Sequence, residues 1–146
     1  MGTIEAQART TGSPADVWAL VADATTWARW GSWSKVEVEG GGPQVPGALR
    51  VLVTGPIRVR ERITEVVAGE KLGYELLEGL RVRGYRSEIR LEPSPGGGTV
   101  VRWRSTYEHA GRFTTLLLRL AVRESCRRLA KAASAQPAAG RAGAVP

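Results

Sequence analysis

From residue 101 to residue 109 the odd positions are Val101, Trp103, Ser105, Tyr107 and His109, and the even ones are Arg102, Arg104, Thr106 and Glu108. Strand side chains alternate between two faces. The spacing therefore predicts a strand with one charged face and one face of aromatic rings, a hydroxyl and an imidazole. A dry core strand would carry Val, Ile or Leu where Ser105, Tyr107 and His109 stand, so polar tips on the inward face point to a cavity lining. After Ala110-Gly111 the period changes, and Phe113, Leu116, Leu117, Leu120 and Ala121 share one face of a predicted helix. The pattern predicts a sheet that wraps this helix around a ligand pocket.

The same reading extends along the chain. Ile4, Ala6 and Ala8 alternate with Glu5, Gln7 and Arg9, as in a half-buried first strand. Ser13-Pro14-Ala15-Asp16 starts a helix: Ser13 caps it, Pro14 suits its first position, and Asp16 completes a capping box. Val17, Trp18, Leu20 and Val21 turn inward from it. Asp23 reads as a second cap, opening a short helix through Trp27 towards Trp30. Strands follow over residues 34–39, 48–54, 57–67, 71–77 and 83–92, separated by turns rich in Gly and Pro. The pattern ends in a folded domain over residues 1–133 and a disordered Ala/Gly/Pro tail over 134–146, which has almost nothing to bury.

This order of elements resembles the helix-grip fold of the START-like (SRPBCC) superfamily, in its polyketide cyclase/dehydrase-type branch. The resemblance rests on Ser13-Pro14-Ala15-Asp16-Val17-Trp18, on Asp23 through Trp27 and Trp30, and on Arg60-Glu61-Arg62-Ile63-Thr64-Glu65-Val66 followed by Leu72-Gly73-Tyr74-Glu75-Leu76. It implies an α+β fold, with a curved seven-stranded antiparallel sheet around a long C-terminal helix and two short helices after the first strand. It also implies an apolar or aromatic ligand, polyketide- or lipid-like, held between sheet and helix. Some members of the superfamily are aromatase/cyclases and others carriers or sensors, so both readings stay open.

The residues for either reading can be named. If Val59 and Ile63 face inward, so do Glu61 and Glu65. A buried carboxylate is costly unless paired, protonated or wet. Glu61 is thus a pocket acid/base with a raised pKa, or is turned to solvent by a bulge, or is paired with an Arg. Glu61 and Glu65 stand ~13 Å apart along a strand, too far for the roughly 5–9.5 Å of a glycosidase pair. His109 is the general base by residue type, or a rim residue bonded to a backbone carbonyl. Tyr107, Tyr85 and Tyr74 fall at inward positions of three strands, to bind a carbonyl or phenol through their hydroxyls or to serve as plain aromatic core. A cyclase would use Glu61, His109 and Tyr107 as its acid–base set. In either reading the ligand wall comprises Trp30, Trp33, Tyr74, Tyr85, Ser87, Trp103, Ser105, Phe113, Leu117 and Leu120. Trp27, Trp30 and Trp33, spaced by three, either gate the pocket or plug the open side of the sheet.

Composition narrows the classes. With Cys126 and His109 each alone of its kind among 146 residues, zinc ribbons, CxxC redox sites and internal disulfides are excluded. No Ser-His-Asp arrangement or metal-ligand spacing is present, and Cys126 has no visible activating partner, so neither metal nor cofactor is expected. The glycine runs at 40–42 and 96–98 lack the strand-to-helix context of a phosphate loop. No apolar run approaches the ~18 residues of a membrane span, and no basic-then-apolar leader opens the chain; the sequence reads as soluble and cytoplasmic. The net charge of +7 is lopsided, with 8 basic and 10 acidic residues in 1–80 against 13 and 4 in 81–146. Arg112, Arg119, Arg123, Arg127, Arg128 and Lys131 concentrate it on the last helix. That helix either contacts an anionic membrane or simply presents cations to water near its C-terminal end. No nucleic-acid motif accompanies it, so nucleic acid is not an expected partner, and the chain is read as a monomer or homodimer.

Overall fold

The computed structural model describes residues 1–135. Strand β1 (Gly2–Thr10) buries Ile4 and half-buries Ala6 and Ala8 while Glu5, Gln7 and Arg9 face water. Helix α1 (Pro14–Ala22) begins with the predicted capping box: Ser13 Oγ accepts the Asp16 amide at 3.1 Å and Asp16 Oδ2 accepts the Ser13 amide at 2.9 Å. Val17 and Val21 are fully buried, whereas Trp18 and Leu20 sit half-buried beside them. Asp23 caps again, its Oδ1 accepting the Thr25 amide at 2.9 Å, and a turn of 3-10 helix leads into α2 (Trp27–Trp30).

Strands β2 (Lys35–Val38), β3 (Leu49–Thr54), β4 (Ile57–Val67), β5 (Lys71–Glu78), β6 (Val82–Arg83), β7 (Arg86–Pro93), β8 (Thr99–Tyr107) and β9 (His109–Ala110) follow, and helix α3 (Arg112–Ala135) ends the fold. Seven strands form one antiparallel sheet ordered β1-β8-β7-β5-β4-β3-β2, while β6 and β9 pair separately. Helix α3 packs on β1, β8 and α1. This is the helix-grip architecture. Ser134 and Ala135 extend α3 beyond the limit read from composition, and the rest of the proposed tail, 136–146, lies outside the described residues.

Three local details depart from the alternation pattern. In β4 the register against β5 shifts between Ile63 and Glu65, so Thr64 is an extra residue. A bulge exchanges the two faces beyond it. Glu61 and Ile63 are buried, but Glu65 turns to solvent and pairs with Lys71 at 2.5 Å. The strand predicted over 101–109 breaks at Glu108: β8 stops at Tyr107, and His109 joins β6 opposite Arg83. The strand predicted over 83–92 likewise divides, at Gly84 and Tyr85.

The largest departure concerns α3. Phe113, Leu116, Leu117 and Leu120, expected inward, are 73%, 54%, 48% and 54% exposed. The helix carries two apolar stripes, and only one can face the sheet. The buried one comprises Leu118, Val122, Ser125, Cys126, Leu129, Ala130 and Ala133. It runs from Leu118 to Ala133, and its small residues allow a close approach. At Gly12 a Cβ would meet the Ala133 carbonyl oxygen at 2.7 Å.

Cys126 shows how dry that contact is. Its Sγ donates to the Val101 carbonyl at 3.6 Å, and burial pushes the thiol up to about 12. The thiolate is the reactive species. Native protein is expected to react with a disulfide reagent about a hundredfold or more slowly than protein unfolded in guanidinium, as absorbance kinetics would show. Equal rates would mean that α3 does not hold this contact.

Candidate functional site

A half-open cavity of about 100 Å³ lies between the sheet and the middle of α3, with the exposed Ala121 at its edge. The sheet contributes Leu52, Val59, Glu61, Tyr74, Leu76 and Trp103, and α3 contributes Leu118, Ala121, Val122 and Ser125. Trp27, Trp33, Leu80 and Tyr85 complete the lining. The wall is apolar apart from one carboxyl, the two phenols and the Ser125 hydroxyl. Larger hollows exist elsewhere on the molecule. One of about 400 Å³ lies among Glu5, Gln7, Glu88, Arg90, Arg102 and Arg104 on the outer face of the sheet. Another of about 670 Å³ lies between Asp23–Thr25 and the glycine-rich turn after β2. Neither has the cluster of aromatic rings that lines the cavity under α3.

Glu61 is the only acidic residue of that wall, and the fold fixes it firmly. Arg50, which is fully buried on β3, stands directly opposite it in the β3–β4 register. Arg50 Nε donates to Glu61 Oε1 at 2.8 Å. Its Nη2 lies 2.8 Å from the same oxygen without the alignment of a hydrogen bond, so charge rather than a second bond holds that contact. Arg50 Nη1 donates to Gln44 Oε1 at 2.7 Å, and Gln44 Nε2 donates to the Val21 and Ala22 carbonyls at the end of α1. The guanidinium is sandwiched between the Trp27 and Tyr74 rings, 4.2 and 4.4 Å from their centroids. Such stacking is worth more when desolvated than at the surface. Burial pushes the Glu61 carboxyl above the ordinary carboxylate range, and Arg50 offsets this only in part.

Behind the cavity runs a chain of hydroxyls. Tyr85 Oη and Ser105 Oγ are 2.8 Å apart, as are Ser105 Oγ and Ser87 Oγ. Trp103 Nε1 donates to Ser87 Oγ at 3.0 Å and to Tyr74 Oη at 3.1 Å. These bonds satisfy the polar groups that the alternation pattern left on an inward face. Burial pushes Tyr85 up to about 12 and Tyr74 higher still. Both are neutral phenols near pH 7, able to orient a polar group but not to act there as phenolate bases. The indoles pack tightly around Trp27, with Trp30, Trp33 and Trp103 centroids at 5.1, 5.3 and 5.9 Å.

The proposed residues therefore divide. Glu61, Trp33, Tyr74, Tyr85 and Trp103 meet at the cavity. Ser87 and Ser105 are buried behind it, and Trp30 is packed within the indole cluster. Tyr107 is half-buried with its hydroxyl 3.4 Å from Thr115 Oγ1, and His109 is exposed on β9. Neither lines the cavity: Tyr107 ends β8 against the first turn of α3, and the strand breaks at Glu108 before His109 can follow the inward face. Phe113, Leu117 and Leu120 lie on the outside of α3, and Leu118, Ala121, Val122 and Ser125 take their place on the wall. Arg50 and Gln44 were not singled out in the sequence. A signal for Arg50 exists: β3 and β4 are joined by the two residues Gly55-Pro56, and counting back from Thr54 opposite Ile57 pairs Arg50 with Glu61.

Residues 1–135 match the family described as polyketide cyclase/dehydrase and lipid transport. The chain belongs to this family. No curated protein matches the chain. Among solved structures, the family member resembles XoxI from Bacillus cereus with a TM-score of 0.77 and 20% identity, over 90% of this chain and 95% of that one. It resembles the Aha1 dimer from Colwellia psychrerythraea with a TM-score of 0.76 and 14% identity, over 92% and 98% of the two chains. DynU16, from the dynemicin biosynthetic locus, gives 0.71 and 15% identity over 89% of this chain and 46% of its own. At these identities the likeness carries the fold. What this polyketide cyclase/dehydrase family member adds is its own cavity wall, in which a single carboxyl is tied to a buried arginine. Among the described residues no His, Cys, Asp and Glu side chains cluster for a metal, and no helix is long and apolar enough to cross a membrane.

Proposed function

We propose that the protein binds an apolar or aromatic small molecule, polyketide- or lipid-like, in the cavity between the sheet and α3 and acts as a carrier or sensor. The observation that carries this reading is the wall itself: aromatic and aliphatic side chains line a half-open space, while the carboxyl on it is already engaged by Arg50. A volume of about 100 Å³ is on the order of the space that holds one six-membered ring in an apolar protein cavity. A flat ring or a short acyl segment fits that description, with Tyr85 or the free side of Glu61 as its polar anchor. The single buried thiol suits a reducing, cytoplasmic setting.

One feature favours the cyclase-type alternative. Glu61 is a carboxyl on the cavity wall whose pKa burial raises, the direction of shift that acid/base work by a carboxyl calls for. In that reading Glu61 would act with Tyr74 and Tyr85, not with His109 and Tyr107.

Titration of the indole fluorescence with flat aromatic and short acyl ligands tests the first reading, because Trp27, Trp33 and Trp103 line the cavity. Saturable quenching is expected, weakened about tenfold or more when Ala121→Phe fills the space. Wild-type protein that shows no saturable response to any such ligand would overturn the proposal. A parallel turnover assay on polyketone mimics separates the alternatives. Turnover lost by ~10²-fold or more in a folded Glu61→Gln variant that still binds would replace the carrier with the enzyme.

A further inference from the structure

The exposed apolar stripe of α3 belongs to neither the core nor the cavity. Phe113, Leu116, Leu117 and Leu120 follow the i, i+3, i+4, i+7 spacing of one helix face, each about half exposed or more. An apolar strip of this kind on a soluble surface marks an interaction site. We propose that this first part of α3 docks on an anionic lipid surface. The proposal does not depend on what the cavity holds.

Charge decides between lipid and a second copy of the chain. Arg112, Arg119 and Arg123 are exposed along one flank of the stripe, and Arg81 and Arg83 are exposed around β6, beside the β9 strand that leads into α3. The nearby acids do not cancel this. Glu124 is bound to Arg127 at 2.6 Å and to Arg128 at 2.8 Å, leaving Glu108 as the exposed acid beside β6. In a two-fold dimer with the helices antiparallel, this flank lies against its own copy, so the arginines would oppose like charges. An anionic bilayer instead offers phosphates to the arginines and an acyl boundary to the leucines and phenylalanine. Leu118 and Ala121, on the same turns of helix, line the cavity. Docking would thus set the helical wall of the cavity against the lipid.

Flotation with phosphatidylcholine vesicles, with and without phosphatidylglycerol, tests this on the whole chain. Binding is expected to the mixed vesicles at low salt, to weaken as salt rises, and to be slight on phosphatidylcholine alone. Phe113→Ser with Leu120→Ser is expected to reduce partitioning about tenfold or more. Arg112→Gln, Arg119→Gln and Arg123→Gln are expected to cost roughly fivefold each. All five positions are exposed, and circular dichroism checks that the variants fold. As an independent readout, Leu120→Trp should shift its emission to the blue on mixed vesicles and be quenched by brominated lipid. Absence of binding to anionic vesicles overturns the proposal, as does binding that the serine pair leaves unchanged. Self-association that the serine pair abolishes, without vesicle binding, would assign the face to a second copy instead.

Discussion

Glu61→Ala is expected to lower the stability of the protein by about 3–5 kcal/mol in chemical denaturation. The cost comes less from losing the bond than from what remains. Arg50 has no exposed surface, and its guanidinium would keep Gln44 Oε1 and two aromatic faces but no counter-ion. A buried charge without its partner is worse than no charge at all. Arg50→Met combined with Glu61→Leu should therefore recover most of the loss, since two apolar side chains of similar length can fill the same space. Should the single and the double variant unfold at the same denaturant concentration, the pair would not be the buried, coupled unit described here. The same network reaches the carbonyl end of α1 through Gln44, so the loss is also expected to loosen that helix. Faster amide exchange in α1 than in β1 would report it.

Leu129→Ala is expected to cost about 2–5 kcal/mol, the range for emptying a filled core site. Leu116→Ala and Leu120→Ala should stay within about 0.5 kcal/mol of the wild type. Leu129 has no exposed surface, whereas Leu116 and Leu120 are each 54% exposed. The three residues are chemically identical and lie on one helix, so the contrast isolates which stripe faces the sheet. Denaturation midpoints that fall equally for all three would mean that α3 is rotated from the orientation described.

How much of this was legible beforehand depends on the range of the interaction responsible. The caps at Ser13 and Asp23, the alternation of β1 and the inward run Val101, Trp103, Ser105 are settled by neighbours a few residues apart, and they stand in the structure as the sequence predicts. The order of elements and the resemblance it carries follow from the same short-range signals. The inward placement of Tyr74 and Trp103 follows from period two, which holds where a strand has no bulge, whereas Tyr85 reaches the same cavity from the break between β6 and β7. The period fails where one extra residue intervenes. Thr64 sends Glu65 outward, and the break at Glu108 removes His109 from the inner face, though neither residue type announces a bulge.

The sequence by itself determined the elements, their order and the polar character of the inward face, since propensity, capping and periodicity act locally. Tertiary structure alone decided the rotation of α3 and the company of Glu61. Both apolar stripes of α3 have helical spacing, and nothing within the helix ranks them. The choice falls to the contact with β1 and β8, where the stripe containing Ser125, Cys126, Ala130 and Ala133 can approach closely along its whole length. Likewise, Arg50 is one of many arginines until the β3–β4 register sets it against Glu61 and the Trp27 and Tyr74 rings close over it. A buried charge is tolerated only where partners from several distant segments converge, and that convergence is a property of the folded chain.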